Sequence, residues 1–187
     1  MEKKKSGKKK SEKKKSQLSD LAKDVVSVLA IVAVFLVLCQ VFFGLWTPMF
    51  VVSSGSMEPN MKVGDIVFVK DFDRTEIITQ QEASIDNNHK KFNGQGDVIL
   101  YYPYGDTRQI PIIHRAMYYV ESGQPMWKGG PNAPHSGYIT KGDNVITNSL
   151  FDQQTGISAG QPIKDEWVLG VSQFKIPYIG KIRLIFS

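Results

Sequence analysis

Apolar and polar positions alternate in two quite different ways along this chain. From Val25 to Trp46 the residues are apolar except Ser27, Gln40 and Gly44. As a helix, that stretch would be about 33 Å long, enough to cross a bilayer core. Beyond it, short runs rich in Val, Ile, Tyr and Phe recur between turn residues: Phe50–Ser53, Ile66–Lys70, Val98–Tyr102, Ile112–Val120, Trp167–Lys175 and Lys181–Phe186. Runs of this kind predict strands, with no helical period among them. Two polar stretches rich in Asn, Gln, Gly and Pro, Asp71–Gln95 and Glu121–Ser136, read as surface excursions from the sheet. The pattern predicts a mainly β fold: an N-terminal transmembrane helix followed by one antiparallel β-rich domain. Its segments are a tail over 1–19, an anchor over 20–46 and a domain over 47–187.

Charge orients this arrangement. Residues 1–16 hold nine lysines and two glutamates with little to bury, which predicts a disordered tail. Positive charge beside a span favours the cytoplasm, so the tail is expected inside and the domain outside, in a single-pass cell-membrane protein whose tail also touches anionic lipid. The apolar block is longer than a cleaved leader's, and Leu45-Trp46-Thr47-Pro48-Met49-Phe50 behind it offers no small-residue cleavage site, so the anchor is read as uncleaved. The formal charge of +5 falls to −2 over residues 17–187, with 14 basic against 16 acidic side chains. A nucleic-acid module would carry its positive charge on the folded part, so nucleic acid is not an expected partner. The single cysteine, Cys39, lies in the span, and no two of His89, His114 and His135 have helical ligand spacing. Neither a disulfide nor a metal centre is expected.

Chemistry concentrates at Ser54-Gly55-Ser56-Met57-Glu58-Pro59. Gly55 permits close backbone approach and Pro59 pushes Glu58 toward an extended conformation, so this is a shaped loop or strand edge bearing serines. Taken alone, such a serine is a turn residue as readily as a nucleophile. In Ile112-Ile113-His114-Arg115-Ala116-Met117 a period of two puts His114 on one face with Ile112 and Ala116, opposite Arg115. A partly buried, neutral imidazole there would accept a hydroxyl proton, and a purely structural histidine fits the same pattern. Acids follow at Asp143, in Gly142-Asp143-Asn144, and at Asp152. Each could be a solvated turn carboxylate. As a set, serine, histidine and aspartate fit the three roles of acyl transfer: attack, proton acceptance and orientation of the ring.

The order of these motifs resembles type I signal peptidases. Ser54-Gly55-Ser56-Met57-Glu58-Pro59 after an anchor is followed by Gly64-Asp65-Ile66-Val67-Phe68-Val69, Gly96-Asp97-Val98-Ile99, Ile113-His114-Arg115, Lys141-Gly142-Asp143-Asn144 and Ile176-Pro177-Tyr178-Ile179-Gly180. His114-Arg115 stands where the bacterial branch has lysine-arginine, so the chain looks like the archaeal and endoplasmic-reticulum branch, and Lys70 reads as a surface lysine. The resemblance implies Ser56 as nucleophile, His114 as general base, Asp152 orienting His114, and Asp143 as a supporting carboxylate. It also implies Ser54 as an oxyanion donor beside the Ser56 backbone N–H. In relatives the second aspartate usually stands closer behind Gly-Asp-Asn than Asp152 does, so Asp152 and Asp143 are open to an exchange of roles. No cofactor is implied. The implied partners are preprotein signal peptides with small residues one and three positions before the cut, the lipid bilayer and the translocation machinery. Two rivals stay open: a repressor-type self-cleaving peptidase with a lysine base, and a non-enzymatic anchored β-domain that binds or scaffolds secreted chains.

Overall fold

The computed structural model describes residues 2–86 and 88–178. These fall into two compact units, divided between Phe42 and Phe43.

The first unit is one helix. α1 runs over Glu2–Phe43, and its stretch Ser19–Phe43 is long and apolar enough to cross a membrane. Large apolar side chains such as Val26, Leu29, Ile31 and Phe42 are exposed along it, as a lipid-facing helix requires. Helix continues through the lysine-rich segment, where the sequence predicts disorder. Lysine and glutamate are good helix formers, so the backbone needs no buried face to take that conformation. The helix stops before Gly44, whose φ of +77° is the left-handed turn that ends many helices. Trp46, expected at the end of the anchor, lies beyond it.

The second unit is built on a six-stranded antiparallel sheet, in the order β1-β2-β8-β5-β6-β7. Its strands are β1 (Met49–Val51), β2 (Ile66–Asp71), β5 (Val98–Tyr101), β6 (Ile112–Val120), β7 (Gly137–Lys141) and β8 (Val168–Ile176). Five of them occupy predicted runs. The strand expected at Lys181–Phe186 lies outside the described residues, as do Ile179 and Gly180 of the last motif. β7 was not foreseen: Gly137-Tyr138-Ile139-Thr140-Lys141 is short and follows a glycine- and proline-rich stretch directly. The excursion 71–95 contains structure of its own, a helix α2 (Gln80–Asp86) and a two-stranded hairpin of β3 (Lys90–Lys91) and β4 (Gly94–Gln95).

β5 lies inside the sheet and is buried at all four positions, which explains its unbroken Val-Ile-Leu-Tyr run. Alternation divides it between two cores. Val98 and Leu100 pack with Val52, Met57, Met61, Val67 and Val69, whereas Ile99 and Tyr101 pack with Ile77, Ala116, Ile163, Val168 and Val171. The first core anchors the serine loop, because Met57 and Met61 are almost wholly buried in it. Burying one such side chain stabilises by about 1.5–3 kcal/mol, so the loop is held from below at the residue next to Ser56.

Candidate active site

The serine loop is a run of turns closed by Glu58 N–H to Gly55 O (3.1 Å) and Met61 N–H to Met57 O (2.8 Å), with a cis Glu58–Pro59 bond. Ser56 is half-buried and Ser54 exposed, and their Oγ atoms are 3.2 Å apart. Both line a cleft of about 1020 Å³ that His114 also lines, together with Val52, Leu100, Tyr102, Ile113 and Asn148. A space of this size, with a mixed apolar and polar lining, suits an extended peptide. Among the described residues no hydrogen bond joins Ser56 to His114. Catalytic contacts of this kind commonly tighten only when substrate is bound.

His114 sits on β6, between β5 and the edge strand β7, opposite Ile99 of β5, and is 4% exposed. Its Nδ1 donates to Asp152 Oδ2 at 2.6 Å. A carboxylate at Nδ1 fixes that tautomer, leaving Nε2 as the acceptor. Asp152 opens a short 3₁₀ turn, Asp152–Gln154, and is 1% exposed. Its Oδ2 also accepts from Thr140 Oγ1 (2.7 Å) and Tyr101 Oη (3.0 Å). Burial pushes the Asp152 carboxyl up, but the hydrogen bond and charge of His114, then the Thr140 and Tyr101 hydroxyls, outweigh it and hold the group below the usual carboxylate range.

Asp143 is elsewhere. Its Oδ1 accepts from Arg115 Nε (2.8 Å), and its Oδ2 accepts from Arg115 Nη2 (2.6 Å) and Asn60 Nδ2 (2.8 Å). Arg115 Nη1 meanwhile donates to the carbonyls of Lys91, Gln95 and Gly96. The sequence places Arg115 opposite His114, and the structure buries it too, at 2% exposure. A charge is buried at so little exposure only when its donors are satisfied, as the fork and three carbonyls do here. Room is made at Gly94, where a Cβ would stand 2.6 Å from the Arg115 guanidinium carbon.

The Gly142-Asp143-Asn144 turn presses on the serine loop. A Cβ at Gly142 would come within 2.6 Å of Ser56 O, the Asn144 N–H donates to that same oxygen (2.8 Å), and Asn144 Nδ2 donates to Gly55 O (2.8 Å). The structure thus brings Ser54, Ser56 and His114 to one cleft and Asp152 to His114, and puts Asp143 on the arginine that follows His114. Sequence reasoning did not identify Tyr101, Thr140, Asn60 or Asn144. Thr140 was hidden with its strand, Tyr101 read only as part of the Val98–Tyr102 run, and Asn144 was noticed as a turn and motif residue without a role. Lys70 ends up half-buried on β2, paired with Val171 of β8. Among the described residues no group of three or more His, Cys, Asp or Glu side chains is placed to hold a metal ion.

The chain is similar to proteins named signal peptidase complex catalytic subunit SEC11. The relative from Eremothecium gossypii is 28% identical over 141 residues, covering 75% of this chain and 66% of its own length. Those from Saccharomyces cerevisiae are 29% identical over 144 residues with the same coverage. The chain therefore spans 66% of the length of the curated relatives it matches. No protein-family model matches it.

Proposed function

We propose that this chain is a membrane-anchored serine endopeptidase of the endoplasmic-reticulum type that removes N-terminal signal peptides from secreted and membrane preproteins. The observation that carries this reading is the buried His114–Asp152 pair, at 2.6 Å, opening onto the same cleft as Ser56. Its similarity to the SEC11 catalytic subunits supports the same reading. A purely scaffolding β-domain is not favoured, since it has no need of a buried imidazole held to a carboxylate beside a half-exposed serine.

In the proposed reaction Ser56 Oγ attacks the scissile carbonyl while its proton passes to His114 Nε2. Asp152 holds the ring through Nδ1–H and stabilises the imidazolium that forms. The imidazolium then gives its proton to the leaving amine, and water, activated by the same nitrogen, resolves the ester on Ser56. Negative charge on the tetrahedral oxygen is met by the Ser56 backbone N–H and the Ser54 hydroxyl. A well-placed donor of this kind lowers the barrier by about 2.7–4 kcal/mol. The residues named carry the whole reaction, with no cofactor called for. The apolar lining of the cleft accommodates small side chains one and three residues before the cut, with the peptide laid in as an extended strand.

The apolar stretch Ser19–Phe43 is proposed as a single span with the lysine-rich end in the cytoplasm and the sheet domain on the far side. The relatives are named as subunits of a signal peptidase complex, and this chain is proposed to work in a comparable assembly beside the translocation machinery. Purified protein in lipid, incubated with a model preprotein, tests the reading. Wild type is expected to release a shortened product that Ser56→Ala and His114→Ala do not form. Equal product from all three refutes it.

A further inference from the structure

The side chains behind Asp152 are more elaborate than an orienting carboxylate alone requires. Tyr101 on β5 and Thr140 on β7 reach Asp152 from different strands, and both are wholly buried. Their protons can be assigned from the distances. Thr140 Oγ1 lies 2.7 Å from Asp152 Oδ2 and 3.3 Å from Tyr101 Oη, so its one proton goes to the nearer, charged acceptor. Tyr101 has one proton as well, and it points to Asp152 Oδ2 at 3.0 Å. Burial, and then the Asp152 charge, push the Tyr101 phenol well above its ordinary range, so it remains a donor. Thr140 is itself held by Gln153, which donates from Nε2 to Thr140 Oγ1 (3.3 Å) and accepts at Oε1 from the Thr140 N–H (3.2 Å). Three donors, from β5, β6 and β7, thus converge on one carboxylate oxygen.

We propose that Tyr101 and Thr140 are positioning residues, which fix the Asp152 carboxylate so that Oδ2 faces His114 Nδ1 and shares its charge among three donors. The inference rests on the serine-peptidase reading for its kinetic consequence, but the geometry it describes is independent of turnover. Removing either hydroxyl leaves Oδ2 with fewer competitors for its charge and a carboxylate freer to rotate. The imidazolium of His114, once formed, is then held more strongly and oriented less well for passing its proton on. Both effects lower kcat while leaving the cleft, and so KM, as it was. A packing role alone would leave the pH profile in place.

The test uses the full chain in detergent or lipid, with Tyr101→Phe, Thr140→Val, Thr140→Ser and the Tyr101→Phe/Thr140→Val double variant. Each hydroxyl lost is expected to lower kcat about tenfold at unchanged KM, as expected for a hydrogen bond to a charged group. The acid limb of kcat/KM is expected to move to higher pH, and Thr140→Ser, which keeps the donor, should stay near wild type. The low-field proton resonance of His114 Nδ1–H is read in the same samples and is expected to shift in Tyr101→Phe and Thr140→Val but not in Thr140→Ser. An unmoved acid limb and an unmoved resonance in the folded double variant would overturn the proposal. If wild type fails to cleave preprotein, the peptidase reading falls, while the resonance still decides whether these hydroxyls set the His114–Asp152 bond.

Discussion

Asp143 and Asp152 stand nine positions apart, and in sequence either fits the same role. In the structure they are opposites. Asp143 faces the permanent cation Arg115, forked onto both of its oxygens, with Asn60 tying it to the end of the serine loop. Asp152 faces the imidazole of His114 and the hydroxyls of Thr140 and Tyr101, none of them a permanent cation. A carboxylate against guanidinium can do nothing but hold, because its partner never gives up its proton. One against imidazole responds when the ring takes a proton and stabilises the charge that appears. The kind of partner, more than the aspartate itself, separates a fastener from the orienting carboxylate proposed at Asp152.

The largest expected effect comes from breaking the proposed orienting pair. Asp152→Asn, close in shape but unable to hold the same tautomer, is expected to lower kcat/KM for preprotein about 10⁴-fold while thermal unfolding shows the domain intact. Retention of near-normal turnover would transfer the orienting role away from Asp152. Breaking the fastener should be felt in stability instead. Asp143→Ala leaves Arg115 buried without its counter-charge and is expected to cost about 3–5 kcal/mol, read from denaturant unfolding, whereas replacing both by apolar residues of similar volume should restore most of that loss. Activity per folded molecule of Asp143→Ala is expected to stay far above that of Asp152→Asn. The smallest effect is a pH dependence. The folded-state Asp152 carboxyl is depressed, so the stabilisation it provides is fully present above the unfolded value of about 3.9 and lost as pH falls through the lower folded value. The difference in unfolding free energy between wild type and Asp152→Asn should therefore hold steady as pH falls toward about 4 and shrink below it.

Much of this was legible in the sequence, because its main signals are local. The Val25–Trp46 block marks the apolar part of α1 and overruns its end, and short Val/Ile/Tyr/Phe-rich runs mark five of the six sheet strands. The serine loop and His114 stood out because their residue types are unusual in their settings. What was hidden depends on sheet order. β5 lies between β6, which follows it, and β8, which is remote in sequence, and the same sheet order brings Tyr101 beneath Asp152. β7 is five residues long with a glycine at its head, so Thr140 carried no strand signal. Alternation set Arg115 on the face opposite His114 and gave no sign of its burial, since the carbonyls that cover it come from the β3–β4 hairpin region. The choice between Asp143 and Asp152 is likewise a fact of three-dimensional partnership that spacing does not encode.

The central claim is that Ser56 attacks a peptide carbonyl within this cleft. Its most direct test is acid quench of a single turnover with enzyme in excess over preprotein, followed by mass mapping of the peptide that contains residues 53–62. The account predicts an ester on Ser56 carrying the signal-peptide half of the substrate, absent from Ser56→Ala and from His114→Ala. Cleavage by wild type with no adduct at Ser56, or product formed equally by Ser56→Ala, would contradict it.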